Sequence, residues 1–104
     1  MARMKHQDLL LGLIRLHILH HAAKEEFYGQ WTIHELARHG YTLSPGTLYP
    51  MLHGLERKGY LKSRTEGVGR RARRHYRATR QGRDALAIAR AKVRELYKEL
   101  VGNR

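Results

Sequence analysis

Cysteine is absent from the 104 residues, which excludes disulfides and thiolate metal sites. Long apolar runs are absent as well. The stretch from Leu9 to Leu19 is interrupted by Arg15 and His17 and is too short to cross a bilayer. The start of the chain lacks the continuous apolar segment and small-residue cleavage site of a secretory signal, so a soluble, cytoplasmic protein is expected. Acidic residues are scarce, nine against 21 Lys and Arg. They are also scattered, whereas a metal-dependent nuclease needs them clustered. No P-loop, glycine-rich nucleotide fingerprint or Ser-His-Asp set stands in the chain. Neither an enzyme nor a cofactor is expected.

What the chain has in excess is positive charge, formally +12, and the excess is local. Between Arg57 and Arg83 stand Arg57, Lys58, Lys62, Arg64, Arg70, Arg71, Arg73, Arg74, Arg77, Arg80 and Arg83, against Glu66 alone. Such a field attracts polyanions, chiefly nucleic acid phosphates. A chain of this length is one small domain with at most an appended element.

The hydrophobic spacing predicts five elements. Residues from about Gln7 to Lys24 form a helix that is apolar on two sides, with Leu9, Leu13 and Leu16 on one stripe and Leu10, Ile14 and Ile18 on another. A helix of this kind is buried on more than one side. The expectation is a core on one flank and a partner on the other, with Leu10, Ile14 and Ile18 assigned to the partner. Thr32 and Glu35 have the spacing of a capping box, and Ile33, Leu36 and Ala37 follow at helical intervals up to Gly40. The link "GYTL" leads to Ser44 and Pro45, placed as cap and first-turn residue of a further helix that closes on Gly59. Two short helices joined through a glycine-containing turn make a helix-turn-helix candidate. "YLKSRTE", the reversal "GVG" and "RRARRHYRAT" then read as a basic hairpin, completing a winged helix. Thr79 caps a last helix reaching about Val101. In it Leu86, Ala89, Val93, Leu96 and Leu100 form a heptad seam expected to pair two copies. The fold class is therefore mainly α with a small β-hairpin: a winged helix-turn-helix over 1–79 and a C-terminal dimerisation helix over 80–104.

One face of the Ser44–Gly59 helix is unusual. Leu48, Met51, Leu52 and Leu55 make its apolar side, while Gly46, Pro50, His53, Gly54 and Arg57 stand opposite, nearly bare of long side chains. A major groove is only about 12 Å wide, so a helix entering it must not hold its backbone away. Ser44, Thr47 and Tyr49 offer hydroxyls near the helix start, where free N–H groups and the positive dipole end favour phosphates. His53 and Arg57 are the groups on that face able to reach base edges or backbone. Pro50 removes a hydrogen bond and crowds residue 46, which is a glycine.

The run "LSPGTLYPMLHGLERKGYL", followed by the Arg-rich hairpin and "HYRATRQG", closely resembles PadR-type transcriptional regulators. The shared pattern is S-P-G-T-L-Y-P-x-L-x-x-L-E-x-x-G, then Y-x-x-T-x-x-G, matched by Tyr76, Thr79 and Gly82. The resemblance implies a winged-helix homodimer on double-stranded operator DNA, usually a repressor relieved by a small-molecule effector. It puts Ser44, Gly46, Thr47, Tyr49 and His53 at the DNA, with a wing around Gly69, Arg70 and Arg71, and Pro45 is counted in the same contact set. Arg57, Arg64 and Arg73 complete the expected contact set. The single C-terminal helix is that of the family's short members, and the only Trp, Trp31, lies outside it. A basic, structural RNA-binding protein is the alternative. His17, His20 and His21 share part of one helix, and His17 with His21 has a spacing able to chelate a metal. With only Glu25 as a close carboxylate, a polar helix edge is the expectation, and no metal site is assigned.

Overall fold

The computed structural model describes residues 4–102. The order is α1 (Gln7–Lys24), β1 (Phe27–Tyr28), α2 (Gly29–Arg38), α3 (Pro45–Arg57), β2 (Leu61–Glu66), a short turn of helix at Gly69–Arg71, β3 (Arg73–Ala78) and α4 (Arg80–Tyr97), which widens into a π-type turn over Lys98–Gly102. The three strands form one antiparallel sheet in the order β1-β3-β2. The hairpin is the expected one. The strand β1, which pairs Phe27 with Tyr76, has no counterpart among the five elements read from the sequence. Among the described residues, no helix is long and apolar enough to cross a membrane.

The core is aliphatic around one aromatic centre. Ile14, Ile18, Leu36, Leu48, Leu52, Leu61 and Tyr76 are fully buried, and the Phe27 ring lies 6.3 Å from that of Tyr76. Two of the residues expected at a partner surface, Ile14 and Ile18, are therefore inside the protomer. Both have 0% exposure and no surface left for a second chain. The flanks of α1 are the reverse of those assigned: Leu10 packs against the core, while Leu9 is 80% exposed and Leu13 43%. Leu86, likewise expected at the dimer seam, is also buried in the core.

Local chemistry explains where the helices stop. Gly40 and Gly59 both have φ of +90°, the left-handed conformation that costs glycine nothing. The amide of Tyr41 donates to the Leu36 carbonyl and that of Tyr60 to the Leu55 carbonyl, each at 2.9 Å. Both helices thus end in the same six-to-one hydrogen-bonded cap. Pro45 occupies the first turn of α3 and Ser44 its cap position, but the Ser44 hydroxyl makes no cap bond. It donates instead to Thr47 Oγ1 at 3.4 Å.

The predicted capping box does not form. The cap position of α2 is Tyr28, and Thr32 lies a turn inside the helix, because pairing of Phe27 and Tyr28 with β3 starts α2 directly after the strand. The Thr32 hydroxyl is buried without a hydrogen-bonding partner among the described residues. The Glu35 carboxylate turns to Arg38 and His39. Thr79 does cap α4: its Oγ1 accepts from the Gly82 amide at 2.9 Å while its hydroxyl donates to the Gly59 carbonyl. Gly82 sits where α4 meets the start of β2, and a Cβ there would lie 2.2 Å from the Tyr60 carbonyl oxygen. Tyr76, Thr79 and Gly82 are thus the core centre, the cap and the close approach that lock hairpin to helix.

Candidate nucleic-acid interface

The helix-turn-helix is α2 and α3, linked by His39–Ser44. The inner side of α3 buries Leu48, Met51, Leu52 and Leu55, which turns Gly46, Pro50, His53 and Arg57 outward, all of them exposed. Among the described residues, no close contact of a Cβ requires the glycines of this face. A Cβ on Gly46 would meet only Ser44 Oγ, at an ordinary 3.7 Å, and one on Gly54 would meet nothing within 4 Å. A side chain at residue 46 would therefore not bring its Cβ against the Pro50 ring. Glycine inside a helix costs about 1 kcal/mol relative to alanine, and here no internal contact offsets it.

The other α3 residues divide. Pro45 is exposed and Ser44 and Thr47 half-buried at the helix start. The half-buried Tyr49 ring lies over the start of α2, where a Cβ on Gly29 would come within 2.7 Å of it. Tyr49 thereby fixes the crossing of the two helices in addition to any outward role of its hydroxyl.

The wing is the β2–β3 hairpin, closed by Gly67 and Gly69 at φ of +88° and +62°. Its tip presents Val68, Gly69, Arg70 and Arg71, all exposed. Neither the Arg70 nor the Arg71 guanidinium makes a hydrogen bond or ion pair within the described residues, although the Arg71 amide donates to the Val68 carbonyl, and the Arg57 side chain on α3 is likewise unpaired among them. Arg73 lies with its guanidinium 4.6 Å above the Tyr28 ring. Arg64, expected at the DNA, is committed elsewhere. It grips the Glu26 carboxylate through Nε at 3.0 and 3.1 Å and through Nη2 at 2.6 Å, which holds that carboxyl below its usual pKa.

Glu56 is a positioning residue that the sequence reading missed. Its Oε2 accepts from the Ser63 hydroxyl at 2.7 Å and the Ser63 amide at 3.3 Å, and Arg74 lies 4.0 Å from Oε1. It therefore sets the wing against the end of α3. Its signals in the sequence are that it is the Glu of the L-E-x-x-G pattern and the last acidic residue before the basic segment. The Glu26–Arg64 pair, with His75 bridging toward Glu66 at 2.9 Å, was equally invisible, because its members are 38 residues apart.

A second surface lies away from the wing. Leu13 and Leu16 of α1 and Leu86, Ala89, Val93 and Tyr97 of α4 line one open apolar groove of about 530 Å³, edged by His17, His20, Tyr41, Arg90 and Arg94. Beyond the core, α4 leaves Ile88, Val93, Leu96, Tyr97, Leu100 and Val101 exposed.

A helix-turn-helix with a basic wing and a bare outward helix face defines a winged-helix protein of the nucleic-acid-binding class. The profile of the transcriptional regulator PadR-like family matches residues 18–88, so the chain belongs to that family. The transcriptional regulator Rv3488 of Mycobacterium tuberculosis is 56% identical over 89 residues, covering 86% of this chain and 83% of that protein. A PadR family regulator from Eggerthella lenta superposes with a TM-score of 0.80 at 30% identity, covering 89% of this chain and 82% of that one. A transcriptional regulator from Clostridium thermocellum gives 0.75 at 26% identity, covering 90% and 94%. The chain is a transcriptional regulator and not an enzyme, and nothing favours the structural RNA-binding alternative.

Proposed function

We propose that the protein is a cytoplasmic homodimeric repressor that reads a two-fold operator in double-stranded DNA, with the outer face of α3 in the major groove. The observation that carries this reading is the pair of helical glycines, Gly46 and Gly54, at which a Cβ would meet no described atom closer than Ser44 Oγ at 3.7 Å. Their reason is external: a bare face lets the backbone of the helix approach a surface that bulky side chains would hold off. In this reading Ser44, Pro45, Gly46, Thr47, Tyr49, His53 and Arg57 face the major groove. Gly69, Arg70, Arg71 and Arg73 contact phosphates or a narrow minor groove from the wing. Arg64 positions the wing through Glu26 rather than touching DNA.

The second copy covers the apolar groove. Leu9, Leu13 and Leu16 of α1 and Ala89, Val93, Leu96 and Leu100 of α4 are the contact residues, with Leu10, Ile14, Ile18 and Leu86 supporting them from the core side. A winged domain this small cannot cover α4 by itself, and a mate lying antiparallel against it would bury both stripes at once. A small-molecule effector would act at this same seam.

The experiment is selection of bound fragments from genomic duplex DNA, followed by footprinting, with structured RNA as competitor at matched salt. The expected footprint has two-fold symmetry, with half-sites about 34 Å apart or a multiple of that. An asymmetric footprint, or equal competition by RNA, would overturn the proposal.

A further inference from the structure

The fold brings together two short-range pairs that the sequence keeps apart. On α1, His17 and His21 lie one turn from each other. At the end of α2, Glu35 and His39 do the same. One ring nitrogen from each of the three histidines lies within 4.8 Å of the others. The His17 and His39 rings are 4.7 Å apart between centroids. Glu35 Oε2 lies 3.4 Å from His21 Nε2 and 3.2 Å from His39 Nε2. Its other oxygen accepts from Arg38 Nη1 at 2.8 Å.

A polar cluster that merely satisfied Glu35 would not need all of these groups. Arg38 already engages the carboxylate, and His17 makes no hydrogen bond or ion pair with it; its neighbours are the rings of His39 and Tyr41. Two imidazoles from two helices, His21 and His39, approach one oxygen of Glu35, and the third, His17, brings its ring nitrogen within 4.8 Å of theirs.

We propose that His17, His21 and His39, with Glu35 Oε2 as fourth donor, form a binding site for a divalent transition cation of the zinc class. Imidazole nitrogens sit about 2.0–2.1 Å from zinc in a tetrahedral set. Drawing donors now within 4.8 Å around one ion therefore takes side-chain rotation and no movement of the helices. The N₃O donor set without thiolate suits zinc, cobalt or nickel and disfavours calcium or magnesium, which take oxygen ligands. The site joins α1 to the residue from which the turn into α3 departs, and His17 also edges the groove between α1 and α4. An ion here would tie the recognition helix to the proposed dimer surface.

The test needs no DNA. Zinc sulfate is titrated calorimetrically into the full chain without an affinity tag, and thermal unfolding is recorded with and without the metal. The proteins are the unaltered chain, His17→Gln, His39→Gln and, as control, His20→Gln. The expected result is one zinc per chain and a raised melting temperature. His17→Gln and His39→Gln should each lower the zinc affinity by at least about tenfold and abolish the thermal shift, while His20→Gln leaves both unchanged. His39 is exposed and His17 half-buried at a helix surface, so both variants should melt like the unaltered chain without zinc. Zinc binding that survives both substitutions, or that His20→Gln weakens equally, would overturn the site.

Discussion

Two glycines that look alike in the sequence have opposite structural meanings. At Gly82 a side chain has no room: its Cβ would lie 2.2 Å from the Tyr60 carbonyl oxygen, which is backbone and cannot swing away. Gly82→Ala should therefore force α4 off β2 and destabilise the fold by about 1–3 kcal/mol, read as a lower urea midpoint. Gly46, by contrast, has open space. Thr32 gives a second residue-scale prediction. Its hydroxyl is buried without a partner among the described residues, and an unmet buried hydroxyl costs about 1–3 kcal/mol. Thr32→Val keeps the shape and removes that cost, so the variant should melt at or above the temperature of the unaltered chain; a clear drop would reveal a partner for the hydroxyl.

At the scale of elements, the amphipathic helix and the hairpin were the legible parts. Gly40 and Gly59 end α2 and α3 as expected, and "GVG" turns the wing, because each of these signals acts within a few residues. The misreadings have one cause, which is that tertiary pairing decided between local options. Thr32 and Glu35 match a capping box, but β1 exists only because Phe27 finds Tyr76, 49 positions away, and it starts α2 earlier. On α1 both stripes are apolar, so periodicity alone could not say which of them faces the core. In the candidate site, Gly46, Pro50, His53 and Arg57 were readable as one face from their spacing, whereas the Glu26–Arg64 grip and the approach of His39 to His17 were not. The α4 seam makes its own prediction. Leu96 is 44% exposed and lies outside the core, so Leu96→Asp should weaken self-association by roughly 30-fold or more, about 2 kcal/mol, without unfolding the chain. Sedimentation across concentrations checks this. The unaltered protein remaining monomeric at micromolar concentration would contradict the dimer.

For the whole molecule, charge governs both stability and binding. Burial lowers the pKa of His17, His20 and His21, reinforced at His17 by His39 and at His20 by Lys24 and Arg90. The folded state then binds fewer protons than the unfolded one. The resulting stability is full above the ordinary value of 6.5 and is lost as pH falls from there through the lowered folded values. Glu35 carries a lowered pKa as well, since its bonds to Arg38 and His39 outweigh the opposing effect of burial. Its contribution disappears at more acid pH, below 4.5. Melting temperature against pH should therefore begin to drop below about 6.5, and His17→Gln with His21→Gln should flatten that first limb. On DNA, Arg70→Ala with Arg71→Ala should weaken binding to all sequences alike and reduce the salt slope by about one for each phosphate contact removed. His53→Ala should instead change the preference among sequences. A wing variant that alters preference while His53→Ala does not would reverse the two roles.

The most direct test of the claim that α3 lays its bare face against DNA is Gly46→Leu, with operator affinity and melting temperature measured on one preparation. Leucine is a better helix former than glycine by nearly 1 kcal/mol, and its Cβ at this exposed position would meet no atom closer than Ser44 Oγ at 3.7 Å. The fold should hold, with an unchanged or higher melting temperature. Specific affinity should fall at least about a hundredfold, toward that for random duplex. Retained operator affinity in a folded Gly46→Leu protein would contradict the account.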